Sequence, residues 1–120
     1  MENFQNIFVY GTLRRGENLP LAKRLADEAI YLGEGYFNGI MHQLGSYPGV
    51  VDSDSADDQV VGDLYKIGDN PDLLDALDEY EGCTPDFSEP HEYVRVIRPI
   101  KFSERVVHAW IYIYNWDIDT

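Results

Sequence analysis

In Gln5-Asn6-Ile7-Phe8-Val9-Tyr10-Gly11-Thr12-Leu13, Gln5 to Tyr10 is a short, nearly continuous apolar run that a glycine closes. Ile7 to Tyr10 lacks the polar–apolar alternation of a half-exposed strand, so the run suits a strand buried on both faces. Gly11 then lets the backbone turn sharply and present successive N–H groups to an anion. Gly11 to Asn18 reads as the loop that leaves this strand. Leu19 to Ala29 follows as a helix, with Leu21, Ala22, Leu25, Ala26 and Ala29 at helical spacing and Pro20 early, where proline is tolerated.

Beyond that helix the chain is rich in strands. Ile30 to Leu44 suggests two strands turning near Asn38-Gly39. Tyr47-Pro48-Gly49 reads as a turn, Asp52 to Asp58 as an acidic loop and Val60 to Ile67 as a strand. Two more strands are expected at His91 to Ile100 and Val106 to Tyr114, after a polar loop from Cys83 to Pro90. The sum is one α+β domain over residues 1–120, with six or seven mostly antiparallel strands and two helices. So many short strands in so small a domain favour a curled or closed sheet, which leaves few exposed edges.

The second helix has the clearest signals. Asn70 can cap it, Pro71 takes the first helical position, Asp72 sits favourably in the first turn and Gly82 follows its end. On a helical wheel Leu73, Leu74, Leu77 and Tyr80 share one face. Glu81 falls inside that arc, Asp78 lies toward its border, and Asp72, Asp75 and Glu79 point away. A carboxyl both partly buried and at a helix C-terminus is pushed upward from about 4.3 toward the 6–7 range of a general base. The first-strand turn supplies the complementary chemistry: N–H groups, the Thr12 hydroxyl, and positive charge on Arg14 and Arg15 able to hold a carboxylate or oxyanion.

Composition narrows the partners. Twenty-two acidic against nine basic residues leave a net charge of −13, a field that repels phosphate backbones and anionic lipid and so argues against nucleic-acid and membrane-surface binding. There is no apolar run of about 18 residues and no leader-like N-terminus, and the single cysteine, Cys83, cannot form an internal disulfide. A cytoplasmic location is expected, as a monomer or weak homodimer.

Val9-Tyr10-Gly11-Thr12-Leu13 followed far downstream by Leu77-Asp78-Glu79-Tyr80-Glu81-Gly82 resembles the γ-glutamylcyclotransferase-like family, including its γ-glutamylamine cyclotransferase and AIG2-like small members. Tyr47-Pro48-Gly49, Gly62-Asp63-Leu64-Tyr65, Tyr93-Val94-Arg95 and Ala109 to Tyr114 extend the resemblance from about Phe8 to Tyr114. The resemblance implies a small mixed, mostly antiparallel barrel with two flanking helices and a cavity at its mouth. It implies conversion of γ-glutamyl amines or γ-glutamyl amino acids to 5-oxoproline and free amine, with no cofactor and no metal. It maps the catalytic glutamate onto Glu81, and substrate binding onto Tyr10, Gly11, Thr12, Leu13, Tyr93 and Tyr114. The chain departs from compact members in a longer 83–90 loop carrying Asp86 and Glu89, which bears on the leaving group. A non-catalytic module binding a γ-glutamyl or carboxylate metabolite is the rival reading.

Other constellations fail on spacing. Asp52 to Asp58 lacks the glycine and terminal glutamate of a calcium loop. His42, His91 and His108 have no metal-like spacing. Ser46 is not in a nucleophile elbow, and Cys83 has no visible histidine partner.

Overall fold

The computed structural model describes residues 6–44, 47–68, 70–82, 84 and 89–115, with backbone alone at 12, 44 and 47. The strands are β1 (Asn6–Val9), β2 (Ile30–Phe37), β3 (Gly39–Leu44), β4 (Tyr47–Asp52), β5 (Val60–Lys66), β6 (Tyr93–Phe102) and β7 (Arg105–Tyr114). The helices are α1 (Pro20–Glu28) and α2 (Pro71–Glu81), with a single 3-10 turn at Gly11–Leu13. Among the described residues no helix is long and apolar enough to cross a membrane.

Five strands close a barrel in the order β1-β5-β2-β6-β7. Four of the five junctions are antiparallel. Strand direction alternates across each of those, so with an odd number of strands the fifth junction must be parallel. It joins β1 to β7 through Ile7 and Trp110. Closure leaves no free edge among the five, which is how the short strands avoid unpaired backbone groups.

Burial on both faces of β1 is observed, and the alternation of its side chains divides the core in two. Phe8 joins Phe37, Val60, Leu64, Ile100, Ala109, Ile111 and Ile113, drawn from all five barrel strands, as the filling of the barrel. Ile7 and Val9 point the other way and pack with Leu25 of α1 and Leu73 and Leu77 of α2. Both helices therefore cover one flank of the barrel, the flank from which β1 runs into its glycine turn.

Two local expectations are corrected. The chain does break at Asn38, but β2 and β3 are not a hairpin: β2 pairs with β5 and β6, and β3 pairs only with β4. Asn38 serves as a junction, donating from Nδ2 to the Ser55 and Asp58 carbonyls at 2.7 and 3.0 Å and so tying down the acidic loop. Tyr47-Pro48-Gly49 is strand rather than turn, because it pairs with His42 to Leu44. Pro48 is tolerated because a two-stranded sheet leaves one side of each strand unpaired. β4 lies across the end of the barrel, where Val50 is fully buried among the filling residues.

Candidate active site

Helix α2 begins and ends as its sequence requires. The Asn70 side chain accepts from the Leu73 N–H at 3.2 Å, Pro71 occupies the first position and Asp72 the first turn. Gly82 adopts φ 72°, ψ 33°, and its N–H closes onto the Asp78 and Glu79 carbonyls. This left-handed cap fixes the direction of the last helical residue, Glu81.

The buried face of α2 is rotated from the predicted arc. Leu73 and Leu77 are fully buried, but Tyr80 is half exposed. Asp78, expected at the border, turns toward the barrel. Its carboxylate accepts a forked pair from Arg95 of β6, at 2.7 and 3.0 Å, and the Tyr112 hydroxyl of β7 at 2.7 Å. The Arg95 guanidinium stacks on Trp110 at 4.2 Å. Bidentate pairing and a cation–π contact outweigh the gain from burying Tyr80, which keeps its hydroxyl in water.

That rotation leaves Glu81 half-buried in the protein's flank. Burial first, and then the negative charges of Glu92 and Asp78, raise its pKa from 4.5 to about 7. Tyr10, from the end of β1, stands beside it. Its hydroxyl donates to the Tyr112 carbonyl at 2.7 Å. Burial, together with the nearby Glu81 and Tyr93, pushes its pKa up strongly against a backbone hydrogen bond from Val50, so the phenol stays protonated. Tyr93, buried on β6, donates its hydroxyl to the Pro48 carbonyl at 2.7 Å, which ties β4 over the site. Tyr114 is its cross-strand partner on β7, and the two rings meet edge to face at 5.6 Å.

The glycine turn completes the group. Gly11 has φ +63°, and a Cβ there would lie 2.9 Å from Cγ of Pro48, so only glycine allows β4 to pass this close. The turn's own hydrogen bonds run from Leu13 N–H to the Tyr10 carbonyl and from Arg14 N–H to the Gly11 carbonyl. The N–H groups of Gly11 and Thr12 take no partner within it, as at any helix start.

The structure thus brings Tyr10, Gly11, Glu81 and Tyr93 together, with Tyr114 reaching the group through Tyr93. The Leu13 side chain is core, in one cluster with Leu25 and Leu77, and its N–H bonds the Tyr10 carbonyl inside the turn. The Thr12 side chain, Cys83 and Asp86 lie outside the described residues, while Glu89 is exposed. Arg14 and Arg15 are also corrected. Arg14 pairs with Glu34 at 2.8 Å and Asp63 at 3.2 Å, and the Arg15 guanidinium covers the Tyr31 ring at 4.6 Å. Carboxylates hold the Arg14 guanidinium and an aromatic ring takes that of Arg15. Among the described residues no group of His, Cys, Asp and Glu could hold a metal ion.

Three contributors were missed in sequence: Asp63, the Asp78–Arg95 pair and Pro48. The signal for Asp63 was an acid inside the apolar run of β5. The other two depend on cross-strand register, which no local pattern reveals.

Comparison with known proteins bears on the family and the fold. The family model described as "Gamma-glutamyl cyclotransferase, AIG2-like" matches residues 7–119. No match is found among curated proteins. Among solved structures, YkqA from Bacillus subtilis is similar with 21% identity and a TM-score of 0.69, over 95% of this chain and 37% of its own. This chain therefore spans little more than a third of that protein's length. An AIG2-like protein from Mus musculus is 24% identical, with a TM-score of 0.66 over 93% of this chain and 78% of its own. An uncharacterized protein from Pyrococcus horikoshii is 22% identical, with a TM-score of 0.65 over 93% and 79%. At these identities the structural likenesses establish the fold.

Proposed function

The chain belongs to the gamma-glutamyl cyclotransferase, AIG2-like family, and from that premise we propose that it converts a γ-glutamyl amine or γ-glutamyl amino acid to 5-oxoproline and free amine, with Glu81 as acid–base residue. The observation that carries this reading is a carboxyl with a pKa of about 7, half-buried at a capped helix end beside the Tyr10 phenol.

In this reaction the substrate's α-nitrogen attacks its own γ-carbonyl carbon. The new C–N bond closes the five-membered lactam, and the old γ-amide C–N bond breaks. One proton leaves the α-nitrogen and one reaches the departing nitrogen, so a single residue can take the first and return it as the second. A pKa near 7 suits both steps at neutral pH, and such catalysis is worth roughly 10²–10⁴-fold. The ring closure is intramolecular, so the remaining task is to hold the chain folded. The N–H groups of Gly11 and Thr12 suit a substrate carboxylate or carbonyl oxygen, and the Tyr93–Tyr114 pair suits an apolar wall.

The test is chromatographic detection of 5-oxoproline and free amine across a panel of γ-glutamyl compounds, wild type beside Glu81→Gln. Product is expected from the wild type, with a loss of at least about 10²-fold in the variant. A fully active variant would overturn the role of Glu81. Tight calorimetric binding of an intact γ-glutamyl compound, without product, would replace the enzyme reading by a binding one.

A further inference from the structure

Asp63 is the single charged side chain that is fully buried among the described residues, 2% exposed. Its backbone lies in β5, paired with Val9 of β1 on one side and Glu34 of β2 on the other. Val9 is the last residue before the Tyr10–Leu13 turn. The Asp63 side chain reaches past that turn to its far end. Oδ2 accepts the Arg15 backbone N–H at 2.6 Å and Oδ1 accepts Arg14 Nη2 at 3.2 Å, with the Tyr31 hydroxyl at 3.5 Å.

Both ends of the turn are thus referred to one residue, through its ladder at the start and its carboxylate at the finish. Elsewhere the turn is anchored by side chains, the Tyr10 hydroxyl on the Tyr112 carbonyl and Leu13 in the core, while its backbone is held more weakly. Its own two hydrogen bonds are 3.4 and 3.2 Å long, and a lone 3-10 turn with a glycine at positive φ is weakly self-supporting. Charge-assisted bonds to a buried carboxylate are the stronger constraint.

We propose that Asp63 is the positioning residue of the substrate turn: by clamping Arg14 and Arg15 it keeps Tyr10, Gly11 and Thr12 in place beside Glu81. The inference rests on the reading that this turn binds substrate. The chemistry requires a carboxylate rather than an amide. Each oxygen faces a donor, so in Asp63→Asn the amide NH₂ is set against either the Arg15 N–H or the Arg14 guanidinium. Glu34 also holds Arg14, but from the exposed side, and makes no bond to the Arg15 backbone.

Two readouts on Asp63→Asn decide it. In the ligand-free protein, hydrogen exchange at the Arg15 amide and through the turn is expected to quicken at least about tenfold, with the β5–β2 ladder unchanged. In the 5-oxoproline assay KM is expected to rise about tenfold, while the pH midpoint of kcat stays where Glu81 puts it. Unchanged exchange at Arg15 overturns the clamp. A lowered Tm with KM unaltered also overturns it, because that is the signature of a carboxylate that only stabilises the fold. If Asp63→Asn does not fold, Arg14→Gln loosens the same clamp from its solvent side, and the same two readouts are expected to move less. A wild type that forms no 5-oxoproline defeats the functional reading alone, and the exchange measurement then decides the clamp by itself.

Discussion

Glu81 pairs a chemical advantage with a stability cost. Its folded pKa of about 7 lies above its ordinary value of 4.5, so between these limits the folded chain holds a proton that the unfolded chain has released. Stability from this group therefore falls as pH rises from about 4.5 to about 7, by at most roughly 3 kcal/mol. Glu81→Gln removes the penalty. Urea unfolding is expected to show the variant more stable than wild type at pH 8 and equal to it near pH 4; a variant less stable at pH 8 would mean the carboxylate is favourably held. In wild type, kcat/KM is expected to climb with pH through about 7 as the base ionises. Glu92→Gln removes the neighbouring charge with the larger effect, so the midpoint of that climb should move down while remaining above 4.5, since burial persists. A midpoint that stays put would show that Glu92 does not reach Glu81.

At the scale of elements, the pieces that set the site are joined by side chains rather than by local propensity. Helix α2 is docked by the Asp78–Arg95–Tyr112 group, one turn before Glu81. That docking explains why its buried face turns away from Tyr80 although the wheel placed Tyr80 inward. Strand β4 is held over the glycine turn by Tyr93 and, at its other end, by the fork from Arg98 to Asp52 at 2.9 and 3.0 Å. The β6–β7 hairpin turns through Ser103 and Glu104, both at positive φ (50° and 64°), between the paired Phe102 and Arg105. A two-residue hairpin prefers Asn-Gly there. Ser103→Asn with Glu104→Gly is therefore expected to stabilise by about 1 kcal/mol, visible as a Tm raised by a few degrees with the 5-oxoproline rate unchanged. A lower Tm would show that the native pair makes compensating contacts.

For the whole molecule, a charge of −13 surrounds a site whose nearest arginines are already engaged by Asp63, Glu34 and Asp78. That field opposes the approach of anionic substrates and is indifferent to zwitterions. Raising ionic strength from about 0.01 M to about 0.15 M shortens the screening length from about 30 to about 8 Å. For γ-glutamyl amino acids, which carry one net negative charge, kcat/KM is expected to rise over that range. For γ-glutamyl amines of zero net charge it should stay flat. Equal salt responses from the two classes would show that the local site, rather than the global field, governs entry.

Much of this molecule was legible along the chain. The apolar run of β1, the glycine after Tyr10, and the Asn70-Pro71 start and Gly82 stop of α2 are all set by interactions within a few residues: side-chain alternation, capping hydrogen bonds and the conformational freedom of glycine. What tertiary structure decided is everything that depends on register between distant strands. The barrel closed through a parallel β1–β7 junction, Tyr47 to Gly49 became a strand because β3 needed a partner, and the Arg14 side chain turned to Asp63 and Glu34. A charge seeks the best opposite partner in space, and a backbone seeks the nearest unpaired ladder. Both are found only once the chain has folded.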